Sequence, residues 1–160
     1  MATNFSPINS LNIASYNQHG FNSGLNKLAE LCNSHHIIAI QEHWLSNHNL
    51  DKLNSMNNNF NVFGVSGMNS MLSFSLLRGR PFGGVAFLWH KCLASHISYV
   101  CADVEGRCTA TRLNINCRVI ILFAVYFPCL STKASYKTDL SQCLDSFDSV
   151  ISVRVAPMQS

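Results

Sequence analysis

The run Ile37-Ile38-Ala39-Ile40 carries no polar break and passes straight into Gln41, Glu42 and His43. A continuous apolar run of β-branched character is the signature of a strand covered on both faces. Such a strand requires layers above and below it, which commits the chain to a layered fold. Charged side chains are mostly exposed, so the glutamate that follows is either the first solvated residue after the strand or a carboxylate placed at the strand end for chemistry. Position by itself leaves both readings standing.

Upstream, "LNIASY" over Leu11 to Tyr16 alternates apolar with small or polar residues and is followed by the turn formers "NQHG", which reads as a first strand. From Ser23, the apolar residues Leu25, Leu28, Ala29 and Cys32 recur at three and four positions, one stripe of a helix facing the sheet. Asn33 and Ser34 end it. Strand, helix, strand suggests a right-handed crossover.

Downstream, the asparagine-rich segment from Ser46 to Asn61 holds Leu50, Leu53 and Met56 at helical spacing, a short helix between loops. Phe60 to Val65 returns as a strand, and Gly79, Pro81, Gly83 and Gly84 form a turn that feeds a buried strand over Val85 to Trp89. Segments His96 to Cys101, Cys108 to Leu113 and Arg118 to Tyr126, with "DVEGR" and "NIN" between them, predict antiparallel hairpins. Tyr136, Leu140, Cys143, Leu144, Phe147, Val150 and Ile151 then step as one face of a helix. The organisation is an extension over 1–10, a domain over 11–151 and an irregular tail over 152–160.

Composition narrows the class. At 160 residues and 48% hydrophobic content one domain with a real core is expected. A net charge of +3 with scattered basic residues does not announce a nucleic-acid protein. The seven cysteines form no C-x-x-C pair and sit mostly in apolar runs, which reads as buried thiols in a reducing compartment. The amino-terminal residues carry no export signal, and the longest apolar run, Val119 to Phe127, falls far short of the ~20 residues of a spanning helix. An intracellular protein, nuclear or cytoplasmic, is expected.

Ligand sites in layered α/β folds gather where strands finish. Asn17 and Glu42 each follow a strand, and if those strands are neighbours an amide and a carboxylate emerge at one rim. That pair suits magnesium, which takes oxygen ligands from one or two carboxylates and keeps several waters. Asn17 is equally well explained as a turn former. Tyr126 ends a strand in "AVYFP"; it offers a phenol at a rim or is simply a half-buried tyrosine with a satisfied hydroxyl. His19, His35, His36, His43 and His48 lie near these strands, but their spacings fit no zinc signature.

Taken in order, "NIASYNQHGF", "IIAIQEHWL", "RGRPFGGVAFLW" and "ILFAVYFP" resemble the endonuclease/exonuclease/phosphatase superfamily, specifically the apurinic-type endonuclease domain at the start of non-LTR retrotransposon polyproteins. The resemblance spans about Leu11 to Ile151. It implies a four-layered α/β sandwich of mixed, largely antiparallel sheets with flanking helices, and a metal-dependent phosphodiesterase acting on DNA. The family's W/Y-N-x-x-G, Q-E-x-W and Y-x-P motifs fall on Asn17, Glu42 and Tyr126. Glu42 would then hold Mg2+ or Mn2+, Asn17 would bind the phosphate or its attacking water, and Tyr126 would contact the phosphate. Arg78 and Arg80 would meet the nucleic-acid backbone, against the plainer reading of solvated arginines beside a turn.

The chain departs from that pattern in lacking the family's later G-D-F-N and S-D-H segments. General-base assistance is worth ~10²- to 10⁴-fold, and charge stabilisation a further ~10²- to 10³-fold. The expectation is therefore a truncated, inactive domain that holds its metal weakly if at all. With half of the sandwich missing, an apolar sheet face would be left bare and prone to self-association. Two alternatives remain: a non-catalytic binding or dimerising module that uses that face, and a superfamily member acting on a phosphoinositide or another phosphomonoester.

Overall fold

The computed structural model of the chain describes residues 10–68, 83–103, 105–127 and 136–152. Most of the amino-terminal extension, the 69–82 segment with its Arg78 and Arg80, and all but Ser152 of the tail lie outside the described residues.

Two sheets pack face to face between helices. The first has strands β1 (Ile13–Asn17), β2 (Ile37–Gln41), β3 (Phe60–Val65) and β4 (Val85–His90) in the order β1-β2-β4-β3. The second is the meander β5 (Ile97–Ala102), β6 (Cys108–Ile115) and β7 (Arg118–Val125). β1 and β2 are parallel neighbours, joined by helix α1 (Phe21–Cys32), which gives the crossover suggested by the strand-helix-strand pattern. Every other pairing is antiparallel.

The apolar run at 37–40 explains the layering. Ile38 and Ile40 point toward α1 and the short helix α2 (Asp51–Met56), where they meet Leu28, Cys32, Leu53, Phe60 and Leu88. Ile37 and Ala39 point the other way, into an inter-sheet core with Val85, Phe87, Leu93, Leu113 and Ala124. Alternation along a strand sends successive residues to opposite faces, so only a strand apolar at every position can serve both cores. On the far side of the second sheet, Phe147 of helix α3 (Tyr136–Ser152) stacks edge-on against Phe123 at 5.1 Å between ring centroids. Helices, sheet, sheet, helix make the four layers expected.

Three details depart from the sequence reading. α1 begins at Phe21 rather than Ser23, because Gly20, at φ 97°, sets the helix entry and the Ser23 hydroxyl bonds back to its carbonyl. The apolar stripe of α3 is only partly buried: Cys143 is covered, but Leu144 and Ile151 remain exposed at 45% and 37%. At about 100° per residue, both lie about 80–100° round the helix from Cys143, beyond the reach of the six- to eight-residue strands beneath. The cysteines are also less uniformly buried than expected. Cys32, Cys108 and Cys143 are buried, while Cys92 and Cys117 are exposed; Cys92 lies in the 3₁₀ turn after β4 and Cys117 in the turn between β6 and β7.

The edges of both sheets carry apolar side chains into solvent. On β1 Ile13 is 45% exposed, and on β7 Val119 and Ile120 are 55% and 40% exposed. Among the described residues these strands have a neighbour on one side only.

Candidate metal and phosphate site

β1 and β2 run in register to their last residues, Asn17 opposite Gln41. The ladder continues past the strands, with Gln18 N donating to Gln41 O and Gly20 N to Glu42 O, each at 2.8 Å. Asn17 and Glu42 therefore leave the sheet at one rim, as parallel neighbours must.

Beyond the rim the backbone is unusual. His19, Glu42 and Trp44 have φ values of 51°, 56° and 56°, a region that costs a non-glycine residue ~1 kcal/mol or more and that persists where surrounding structure enforces it. The enforcement is visible. His43, fully buried, accepts a hydrogen bond from Leu45 N at Nδ1 (3.0 Å), and its Nε2 lies 3.0 Å from Val65 O. That arrangement fixes the neutral tautomer with the proton on Nε2. Burial lowers the His43 pKa to about 4, outweighing its hydrogen bonds to the backbone of Val65 and Val85. Trp44 N donates to Gly83 O at 3.0 Å, and Gly20 packs so closely under the Trp44 ring that a Cβ there would overlap it.

Glu42 is thus presented by a rigid turn, and it is not the solvated residue that ordinarily follows a strand. It is buried at 9% exposure, and its Oε2 lies 3.2 Å from Nδ1 of His19. A carboxylate withdrawn from water needs a partner to offset desolvation. Asn17, in contrast, is exposed, and its Oδ1 accepts a hydrogen bond from His19 N at 3.1 Å. That is an Asx turn, so the turn-former reading of Asn17 is realised at the rim itself. Asn17 and Glu42 converge on one residue, His19, whose ring also lies 4.8 Å from that of Trp44. In the sequence His19 stood only among scattered histidines; the signal for it was its place two residues after Asn17 and immediately before a glycine.

Tyr126 comes from the second sheet. It follows β7, with its N bonded to Arg107 O at 2.8 Å, and its ring packs half-buried against the inter-sheet core that also holds Ile37, Ala39 and Val85. Arg78 and Arg80 lie outside the described residues. The histidines considered for zinc do not gather: among the described residues no three of the histidine, cysteine, aspartate and glutamate side chains form a metal-binding group. A cleft of about 470 Å³ opens beside the rim, lined by Gly20, Asn22, Trp44, Asn49 and Lys52 among others.

One buried carboxylate and one nearby amide are a donor set that fits a hard divalent ion. Magnesium is commonly held by one or two carboxylates, with waters and substrate phosphate filling its other positions. Glu42, and Asn17 through its amide oxygen, are the residues that would hold it.

The chain's fold has solved counterparts. A 3′ phosphatase, NExo, from Neisseria bound to product DNA hairpin superposes with a TM-score of 0.59 at 12% identity, over 91% of this chain and 53% of that one. An AP endonuclease from Archaeoglobus fulgidus gives 0.55 at 20% identity, over 91% and 52%. The catalytic domain of Xenopus laevis APE2 gives 0.58 at 17% identity, over 89% and 55%. The chain thus spans about half the length of these structures. Compared by sequence with curated proteins it has no match. Among the described residues no helix is long and apolar enough to cross a membrane. The model of the Endonuclease/Exonuclease/phosphatase family matches residues 10–157, nearly the full chain, and the protein belongs to that family.

Proposed function

We propose that this chain is the amino-terminal part of a divalent-metal-dependent DNA phosphodiesterase of retrotransposon type, carrying the metal-binding half of the active site. The observation that carries the reading is the in-register parallel pairing that delivers Asn17 and Glu42 to one rim, with the Glu42 carboxylate buried against His19. The retrotransposon assignment is supported by the ordered motifs "YNQHG", "QEHWL", "RPFGGVAFLW" and "VYFP". DNA is the polymer processed by the solved counterparts, judged by the DNA hairpin on one and the AP endonuclease activity named for another. Nuclear or cytoplasmic work fits cysteines that form no disulfide among the described residues.

Glu42 supplies the anionic oxygen for Mg2+ or Mn2+, and Asn17 orients the phosphate or its water through its amide. Tyr126 contacts the phosphate, and Arg78 and Arg80 meet the DNA backbone. When bound, the divalent ion polarises the phosphoryl oxygen and stabilises the leaving 3′ oxygen. These 160 residues contain neither a G-D-F-N nor an S-D-H segment, so a general base and part of the charge stabilisation have no candidate in them. Turnover by this chain is therefore proposed to be negligible, and its metal weakly held.

The experiment is nicking of supercoiled plasmid in Mg2+ by the purified chain. The expected result is no nicking above background. Robust nicking abolished by Glu42→Ala would overturn the inactivity while keeping the site; nicking indifferent to Glu42→Ala would overturn the site. A second reading, a non-catalytic module that binds a partner or dimerises through an exposed sheet face, is favoured by the exposure of the Ile13, Val119 and Ile120 side chains.

A further inference from the structure

Nδ1 of His19 and Oε2 of Glu42 are 3.2 Å apart. Two donors bound side by side on an octahedral ion at about 2.1–2.2 Å, the bond lengths of small divalent cations, stand about 3 Å from each other. The observed separation is therefore a hydrogen-bond distance and also the spacing of adjacent ligands on one cation. We propose that His19 contributes a nitrogen ligand to the Glu42 site and so biases it from Mg2+ toward ions that accept imidazole, such as Mn2+. This rests on the reading of Glu42 as the metal carboxylate.

The side chain of His19 is 71% exposed, and an exposed histidine ordinarily samples several rotamers. Here it is fixed from several sides. Its backbone is held in a left-handed conformation at φ 51°, its N is bonded to Asn17 Oδ1, and its carbonyl accepts from the Ser23 hydroxyl. The ring is tilted 56° against Trp44, which Gly20 in turn supports. Exposure with fixed orientation is what an open ligand position needs, because the ion and its waters approach from solvent while the donor does not have to be ordered on binding. Imidazole is a poor ligand for Mg2+, which prefers carboxylate, carbonyl and water oxygens, and a better one for transition-series divalent ions.

The test uses Mn2+ as the probe on the whole chain. Mn2+ affinity is measured by electron paramagnetic resonance titration, and the bound ion is examined by electron spin echo modulation, which detects a coordinated ¹⁴N. The wild-type chain is expected to show ¹⁴N modulation that disappears in both His19→Ala and His19→Gln. Mn2+ affinity should fall on the order of tenfold or more, the scale seen when groups around a metal are lost, with an unchanged circular dichroism spectrum. Mn2+ bound in a Glu42-dependent manner without ¹⁴N modulation, or with modulation that survives in His19→Ala, overturns the inference and leaves the Glu42 site intact. Absence of Mn2+ binding by the wild-type chain overturns both.

Discussion

A Cβ placed on Gly84 would overlap the imidazole ring of His43. Gly84 has φ 86°, and neighbouring Gly83, at φ 66°, holds Trp44 N through its carbonyl. The turn that presents Glu42 is therefore supported from beneath by two glycines that precede β4.

Gly84→Ala adds left-handed strain to a steric overlap with a buried ring and is expected to destabilise the chain by about 2–4 kcal/mol. Gly83→Ala is the control, because among the described residues its Cβ would meet only Gly67 Cα at an ordinary 3.4 Å; strain by itself should cost about 1 kcal/mol. Denaturant midpoints of the two variants check the difference, and equal losses would show that His43 yields.

Acid should unfold the chain through its buried histidines. Burial lowers the pKa of His43 to about 4 and also depresses His36 and His90, with neighbouring His35 and His36 respectively adding to the effect. The unfolded chain then binds more protons than the folded one between about 4 and the ordinary histidine value of about 6.5. Stability is full above that range and falls as pH drops through it, by about 2 kcal/mol at pH 5 from His43. Urea titrations at pH 7 and pH 5 measure the loss, and a stability independent of pH in this window would contradict the buried neutral state.

Glu42→Gln keeps the shape of the side chain and removes its charge. Mg2+ or Mn2+ affinity should drop on the order of tenfold or more, while the thermal midpoint moves little. Calorimetric titration with each ion, alongside a melting curve, separates loss of the ion from loss of the fold.

Val119→Lys and Ile13→Lys place charges on exposed positions of the two open edge strands. Lysine on an edge opposes strand-to-strand association. Light scattering of the double variant should show less self-association than wild type, with stability changed by no more than about 0.5 kcal/mol. Association unaffected by both substitutions would locate the contact elsewhere.

The layering was legible because the run at 37–40 has no polar face, and the crossover because the helical stripe of Leu25, Leu28 and Cys32 sits between two strand patterns. The hairpins of the second sheet were legible from turn residues at regular spacing. The rim was legible as a pair of residues, Asn17 and Glu42, on the condition that the strands they follow are neighbours, which the pairing of β1 with β2 meets. The burial of Glu42 was not, because it depends on left-handed backbone at Glu42 and Trp44 and on contacts from Gly20, Gly83 and Gly84 that are distant in sequence. His19 escaped for the same reason: its place after Asn17 and before a glycine was readable, but its contact with Glu42 spans 23 residues, which no local spacing encodes. The partial exposure of α3 escaped because periodicity specifies an apolar face but not the width of the sheet that covers it.

The alignment of Asn17 with Gln41 has a consequence for how this protein can vary. Successive residues of a strand alternate between faces, so sliding β1 past β2 by a single position would turn the Asn17 amide toward α1 and offer the Tyr16 phenol in its stead. The same slip would turn Ala14 and Tyr16 away from the α1 core and bring Ser15 and Asn17 into it, so packing and site geometry would be lost together. Insertions or deletions in the stretch joining α1 to β2 are thus opposed by packing first, and the connector of four residues between Cys32 and Ile37 acts as the spacer that keeps the Asn17 amide and the Glu42 acid in phase at the proposed site.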